Sequence, residues 1–198
     1  MNLLSSASIF SFFTLISRIL GYLRDILIAI FLGASIFADA FFVAFRLPNT
    51  FRRLFAEGTF NAAFIPSYSS ANFESKKKGK IFADDVLSLL LLILIFSVTL
   101  AEIFTPFLVH LIAPGFADNN IKFDLAVEFT RITFPFLLFV SLSSFFSGIL
   151  NSNNKFAAAA AAPIILNIVL IISIFISYFK NFDIAKQLSY GVTVAGII

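Results

Sequence analysis

Eight ionisable side chains lie within the first two stretches of the chain that are apolar enough to cross a bilayer. A charge near the centre of a membrane helix costs about 2.5–3.5 kcal/mol on insertion scales, so we expect these side chains to face a protein interior or a water-filled cavity. Five are arginines and three are carboxylates, which leaves two positive charges in excess. An anionic ligand is the simplest reason to keep that excess. The eight residues are Arg18, Arg24, Asp25, Asp39, Arg46, Arg52, Arg53 and Glu57.

The choice of arginine over lysine indicates phosphate as the anion. The planar guanidinium can bind two phosphate oxygens at once and stays charged at any depth in the membrane. No Walker glycine loop, metal-ligand spacing or nucleophile elbow accompanies the arginines, and the chain has no cysteine. The sequence therefore predicts a binding or transport protein rather than an enzyme, with no metal and no cofactor.

The composition predicts an integral membrane protein, because 60% of the residues are hydrophobic and only 13% are charged. The densest basic run is Lys76, Lys77, Lys78 and Lys80, which we expect to form a short loop between apolar segments. A run this short, in such a loop, predicts no nucleic-acid surface. The positive-inside rule places the loop in the cytoplasm, and parity then places the amino terminus there too.

Six apolar segments predict an all-α fold, a polytopic bundle of membrane helices. A span needs about 20 residues, so five segments are long enough to cross and the last predicts only the start of a sixth helix. We therefore expect residues 1–198 to be an incomplete amino-terminal lobe of a longer protein. The segments cover about residues 3–32, 37–66, 82–112, 126–150, 156–179 and 188–198.

The first two segments each run for about 30 residues, or about 45 Å as a helix, which exceeds a hydrocarbon core of about 30 Å. They must tilt, bend or protrude, and Gly21 and Pro48 are the predicted hinges. Counting outward from a turn near Ile36 at about 1.5 Å per residue places Arg24 level with Arg46 near mid-bilayer. The same count places Arg18 level with Glu57, nearer the cytoplasm.

Helical periodicity predicts two polar stripes. On the second segment, Asp39, Arg46 and Arg53 recur every seven residues, and on the first Ser17, Gly21 and Arg24 share a face. We expect the two stripes to face each other across a polar cleft.

The same stretches resemble a known family. SRILGYLRD at 17–25 and GASIFADAFFVAFRLPNTFRRLFAEGTFNAAFIP at 33–66 are similar to the opening of the MurJ/MviN family of lipid II flippases of bacterial inner membranes. LIAPGF at 111–116, TRITFPFLLFVSLSSFFSGILNS at 130–152 and APIILN at 162–167 resemble later parts of that family in the same order. Two positions depart from the pattern: Arg46 stands where the family often has lysine, and Ala159 stands where proline is expected.

The resemblance implies an exporter-type fold with two six-helix lobes, of which this chain would contain most of the first. It implies a lipid II flippase, in which the lobes rock to move the undecaprenyl-pyrophosphate-linked peptidoglycan precursor from the cytoplasmic to the periplasmic leaflet for cell-wall synthesis. The implied partners are lipid II, membrane lipids and the missing carboxy-terminal lobe of the same chain. The implied location is the bacterial inner membrane.

The resemblance also implies roles for individual residues. Arg24, Asp25 and Arg52 match cavity positions, and Asp39, Arg46 and Arg53 are further candidates for substrate binding. Ser17, Arg18 and Glu57 match a cytoplasmic gate.

Two alternatives stay open. A related exporter would flip another polyprenyl-linked glycan or export a drug, although a cationic drug would call for carboxylates rather than arginines. A membrane scaffold that transports nothing would use the charges only as structural ion pairs, such as Arg18 with Glu57 and Arg24 with Asp25.

Overall fold

The computed structural model describes the backbone of residues 3–55, 59–153 and 157–198, and the side chains of residues 8, 11–50, 60, 62–153 and 161–198. Every long element within these ranges is an α-helix. The elements are α1 (Leu3–Leu32), α2 (Ile36–Phe55), α3 (Thr59–Glu74), α4 (Lys76–Ile103), α5 (Thr105–Ile112), a 3-10 turn at Pro114–Phe116, α6 (Asn120–Thr133), α7 (Phe136–Ser152), α8 (Ala157–Lys180) and α9 (Ile184–Ile197).

The surface of these helices is that of a membrane protein. Three stretches of the described chain are long and apolar enough to cross a bilayer, namely Lys76–Ile103, Asn120–Ser152 and Ala161–Lys180. On α4, Leu92 and Phe96 are each 67% exposed, and they face outward with other large apolar side chains. Such a surface is costly in water and favourable in hydrocarbon.

Two sets of contacts hold the bundle together. Helix α1 packs along α8, α2 packs along α6, and α9 contacts α6, α7 and α8. Phe41, Phe129 and Leu188, from α2, α6 and α9, are fully buried where these helices meet. A separate aromatic cluster joins α3 to α4 and α7, in which Phe64 lies 5.0 Å from Phe145 between ring centroids.

The structure divides two of the predicted segments. In the segment predicted at 37–66, α2 is described as far as Phe55 and α3 from Thr59, and residues 56–58 lie outside the described residues. The segments at 82–112 and 126–150 are divided near Phe104 and Pro135, and a proline lies at each division. Proline lacks the backbone N–H that would continue a helix, so an apolar run alone overstates helix length.

The predicted lysine loop is wrong. Lys76, Lys77, Lys78 and Lys80 form the first turns of α4, which directly follows α3 after the single residue Ser75. Ser75 caps α4 by accepting a hydrogen bond from the backbone N–H of Lys78 at 3.1 Å. The lysines remain exposed, so their value as a topology signal is unchanged.

The turn between α1 and α2 and the start of α9 are stabilised by local interactions. Gly33 has φ +60° immediately after α1, a conformation that glycine adopts without a steric penalty. Ser35 Oγ then accepts a hydrogen bond from the N–H of Ala38 at 3.2 Å and stabilises the start of α2. Asp183 caps α9 in the same way through the N–H of Lys186 at 3.0 Å.

Pro48 lies inside α2 and removes one of its hydrogen bonds. The carbonyl that loses its donor belongs to Ala44, four residues earlier. The hydroxyl of Thr133 on α6, which is fully buried, donates to that carbonyl at 3.1 Å and shares its proton with the Thr130 carbonyl of its own helix at 3.2 Å. Because hydrocarbon offers no water to replace a lost donor, Thr133 both satisfies the Pro48 site and ties α2 to α6.

We expect Thr133→Val, which keeps the side-chain shape, to destabilise the protein by about 1–3 kcal/mol because the Ala44 carbonyl is left buried without a donor. The measurement is the midpoint of thermal unfolding in detergent. Thr50→Val is the control, since the exposed Thr50 hydroxyl donates to the Arg46 carbonyl of its own helix. The explanation fails if Pro48→Ala, which restores the missing N–H, does not reduce the cost of Thr133→Val.

Candidate functional site

Arg24 of the predicted cluster contacts side chains of α1, α8 and α2. Its Nε and Nη2 donate to Asp25 Oδ1 at 2.9 and 2.7 Å, and its Nη1 donates to Asn167 Oδ1 of α8 at 2.8 Å. The Phe45 ring of α2 lies 6.0 Å from the guanidinium carbon. The Arg24 side chain is only 17% exposed, whereas that of Asp25 is 61% exposed. Arg24 is therefore held from the α8 side while its carboxylate partner remains accessible.

Asn167 inserts into the polar stripe of α1. Its amide nitrogen donates to the Ser17 carbonyl at 3.0 Å while its oxygen accepts from Arg24. Gly21 lies between these two contacts, and a Cβ there would lie 3.5 Å from the Asn167 amide nitrogen. The prediction that this stripe faces the second segment is wrong: Ser17, Gly21 and Arg24 face α8, because α1 packs along α8 rather than α2.

Arg46 follows Phe45 on α2 and so lies at the level of Arg24. Its side chain is exposed, and among the described residues no carboxylate lies within ion-pair distance of it. Arg18, on α1, is also exposed and has no carboxylate within that distance in the same part of the chain. The guanidinium of Arg46 is therefore free to bind an anion without first releasing a carboxylate of the described chain.

Asp39 is paired with a residue that the sequence analysis does not identify. Lys122 Nζ of α6 lies 2.5 Å from Asp39 Oδ2 and 4.3 Å from the centre of the Phe116 ring. Asp39 occupies the first turn of α2, where a carboxylate is also stabilised by the helix dipole. This pair joins the start of α2 to α6.

The side chains of three predicted site residues lie outside the described residues. Arg52 and Arg53 lie in the last turns of α2, but their side chains are outside the described residues, and Glu57 lies outside them altogether. The predicted gate between Arg18 and Glu57 and the cavity roles of Arg52 and Arg53 therefore stay predictions. The same holds for Gly21 and Pro48 as hinges, since α1 and α2 run through both residues without a break.

Asn167 and Lys122 are the contact residues that sequence reasoning did not select. The sequence pattern could have identified Asn167, because it is an isolated amide in a strongly apolar segment. In the structure its side chain is only 5% exposed. The pattern could not have identified Lys122, since a lysine near the start of a helix is ordinary. Its contact with Asp39 spans 83 residues of sequence.

Two possible sites outside the arginine cluster are a metal site and the buried carboxylate of Glu102. Within the described ranges, no group of three or more His, Asp or Glu side chains is placed to hold a metal ion. On α4, Glu102 Oε1 is buried without a hydrogen-bond partner among the described residues, and Arg131 is not within ion-pair distance of it. Neither feature extends the arginine cluster.

Known proteins resemble the chain over its length. A probable lipid II flippase MurJ of Rickettsia prowazekii is 44% identical over 199 residues, covering 100% of this chain and 39% of that protein. A probable lipid II flippase MurJ of Rhizobium tropici is 45% identical over 190 residues, covering 93% of this chain and 36% of that protein. The chain thus spans less than two fifths of the length of these relatives.

The fold agrees with this similarity. A solved structure described as "Lipid II flippase MurJ, inward closed conformation" matches with a TM-score of 0.79 and 34% identity, covering 95% of this chain and 40% of that one. The family described as "Lipid II flippase MurJ" matches residues 28–198. The chain belongs to the MurJ family of lipid II flippases, and its helices form part of a polytopic, exporter-type membrane bundle.

Proposed function

We propose that the protein containing this chain is a lipid II flippase, which moves the undecaprenyl-pyrophosphate-linked peptidoglycan precursor from the cytoplasmic to the periplasmic leaflet by alternating access. Transport involves no covalent chemistry, so the protein is not an enzyme. It lies in the bacterial inner membrane with its amino terminus in the cytoplasm. A second lobe, carried by the same protein, completes the cavity.

One observation carries the proposal. At the same level of the bundle, Arg24 shares its charge with the accessible Asp25, and Arg46 has no carboxylate partner within the described residues. An unpaired cation inside a membrane protein is costly unless an anion joins it. A pyrophosphate offers several oxygens to two guanidinium groups, which bind such oxygens in pairs.

Binding at Arg24 requires an exchange of partners. Asp25 Oδ1 accepts two of the five guanidinium N–H groups and Asn167 accepts a third. A pyrophosphate arriving from the Asp25 side replaces the carboxylate, which is 61% exposed and can turn toward water. Such an exchange keeps the substrate from being held too tightly to leave. Arg52, Arg53 and Asp39 complete the proposed substrate-binding set.

We assign gating to the cytoplasmic end. Ser17, Arg18 and Glu57 form the proposed gate, and Gly21 and Pro48 the proposed hinges. Arg18 is exposed and without a carboxylate among the described residues, which leaves it available to Glu57 or to a residue of the second lobe. Membrane lipids surround the bundle.

The first test is growth rescue of bacteria depleted of their own lipid II flippase by the complete reading frame. We expect the wild type to restore growth and Arg24→Ala to fail, because the pyrophosphate loses a bidentate donor. Lys180→Ala, at the end of α8, is the control for expression. A well-expressed wild type that does not restore growth would favour a related exporter with another cargo.

Arg46 should contribute to affinity without breaking an ion pair to any described residue. We expect Arg46→Ala to weaken binding of undecaprenyl pyrophosphate about tenfold or more, because a hydrogen bond to a charged group is worth about 1.5–3 kcal/mol. Arg46→Lys should retain part of the affinity through its charge. Binding is measured on the full-length protein in nanodiscs. Equal affinities for wild type and Arg46→Ala would exclude Arg46 from the site.

The Arg24–Asp25 pair is also what a non-transporting scaffold would contain, so the two functions need separation. The double variant Arg24→Asp with Asp25→Arg keeps a neutral pair but moves the guanidinium away from Asn167. We expect this variant to retain thermal stability within a few degrees and to lose growth rescue. Full rescue by the exchanged pair would support a structural role for these charges.

A further inference from the structure

Asn167 differs from the other polar residues of α8 in what it bonds. Ser173 and Ser177 donate to carbonyls of their own helix, at 2.8 and 2.7 Å. Asn167 instead uses both ends of its amide on α1, donating to Ser17 and accepting from Arg24. A buried amide that makes two contacts to one neighbouring helix sets the position of both groups it touches.

The chemistry of the two contacts requires an amide. The Ser17 carbonyl can only accept a hydrogen bond, and the Arg24 guanidinium can only donate. A side chain bridging them must donate at one end and accept at the other, which Asn does and neither Asp nor Leu can do. The same logic assigns the amide orientation, with nitrogen toward Ser17 and oxygen toward Arg24.

The bridge lies along one face of α1. Ser17, Gly21 and Arg24 fall on one helical face, separated by four and three residues. Asn167 packs against Gly21, where a Cβ would lie in ordinary contact 3.5 Å from its amide nitrogen, and that nitrogen reaches the free lone pair of the Ser17 carbonyl. Arg24 is then bonded at Nη1 by a neutral oxygen, which adds no negative charge to that of Asp25.

The remaining contacts of Arg24 do not set its position in this way. Asp25 is its sequence neighbour, is 61% exposed and can follow the guanidinium wherever it turns. The ring of Phe45 lies 6.0 Å away and restricts only one side. A free arginine side chain loses rotamer entropy when it binds a ligand. The bond to Asn167 removes part of that cost in advance.

We propose that Asn167 is a positioning residue for substrate binding: it anchors on the Ser17 carbonyl and holds Arg24 in the orientation that receives a pyrophosphate. Asn167 touches Arg24 rather than the substrate. It preserves the positive charge of Arg24, which a carboxylate at position 167 would neutralise. The inference rests on the proposed function, since it assumes that Arg24 contacts the pyrophosphate of the cargo.

The test is a double-mutant cycle on the full-length protein in nanodiscs, with undecaprenyl pyrophosphate as the probe. We expect Asn167→Leu to weaken binding about tenfold when Arg24 is present, and to have no further effect in the Arg24→Ala background. Ser177→Ala, a buried change on the same helix, should leave the affinity unchanged. Unchanged affinity in Asn167→Leu, or the same fold-loss in both backgrounds, would overturn the proposal.

Asn167→Asp keeps the shape of the side chain and serves if the leucine variant does not fold. It retains an acceptor for Arg24 but loses the donor to Ser17 and neutralises the guanidinium. We expect it to weaken binding with little change in the midpoint of thermal unfolding. Wild-type affinity in this variant would contradict the proposal.

A ligand-free measurement separates this inference from the proposed function. In ¹⁵N spectra of the wild-type protein, the Arg24 Nε signal is assigned by its loss in Arg24→Ala. We expect that signal to shift and broaden in Asn167→Leu and to stay unchanged in Ser177→Ala. Failure of the wild type to bind the probe would reject the pyrophosphate site, whereas an unmoved Arg24 signal in Asn167→Leu would reject the positioning role.

Discussion

The absence of water in the bilayer interior is the constraint on which the rest of this structure depends. Any backbone carbonyl or charged side chain that loses a partner there must find another within the protein. The carbonyl of Ala44 loses its donor to Pro48 and gains one from Thr133. The carbonyl of Ile132, beside the division between α6 and α7, accepts from Thr193 of α9. A hydroxyl of α6 thus compensates the proline inside α2, and hydroxyl groups of α6 and α9 tie neighbouring helices together.

In the same water-free interior, the charged side chains differ in how fully a neighbouring group compensates their charge. Asp39 and Lys122 pair between two helices, so neither charge is left without a partner at the start of α2. Arg24 has a carboxylate that can leave and an amide that stays, and Arg46 has neither within the described residues. This gradient leaves the most available positive charge at the level of the bundle that Arg24 and Arg46 share. A transported anion needs such a site, since a fully paired cluster would not bind it and a fully unpaired one would not release it.

Sequence reasoning reached the family and the helical class from local information. Arginines within membrane segments are recognisable because a charge there has a high free-energy cost. Membrane helices are recognisable as apolar runs long enough to span a bilayer. Helix ends are harder to predict from sequence, because Pro106 and Pro135 each lie at a division in a run that is apolar on both sides. The lysines before Ile81 are polar and so predict a loop, but they are helical. The capping residue Ser75 starts α4 ahead of its apolar part.

The sequence by itself determined that the chain enters a membrane, where its charges concentrate and that arginine suits a phosphate ligand, since these depend on residue type and spacing along one helix. Only the tertiary structure decided which helix faces which. The stripe of Ser17, Gly21 and Arg24 could have met α2 or α8, and periodicity treats the two equally. Packing of α1 along α8 selected Asn167 as its partner, and a contact across 143 residues of sequence leaves no mark in local pattern. The pairing of Asp39 with Lys122 has the same origin, because hydrogen bonds between helices depend on three-dimensional proximity alone.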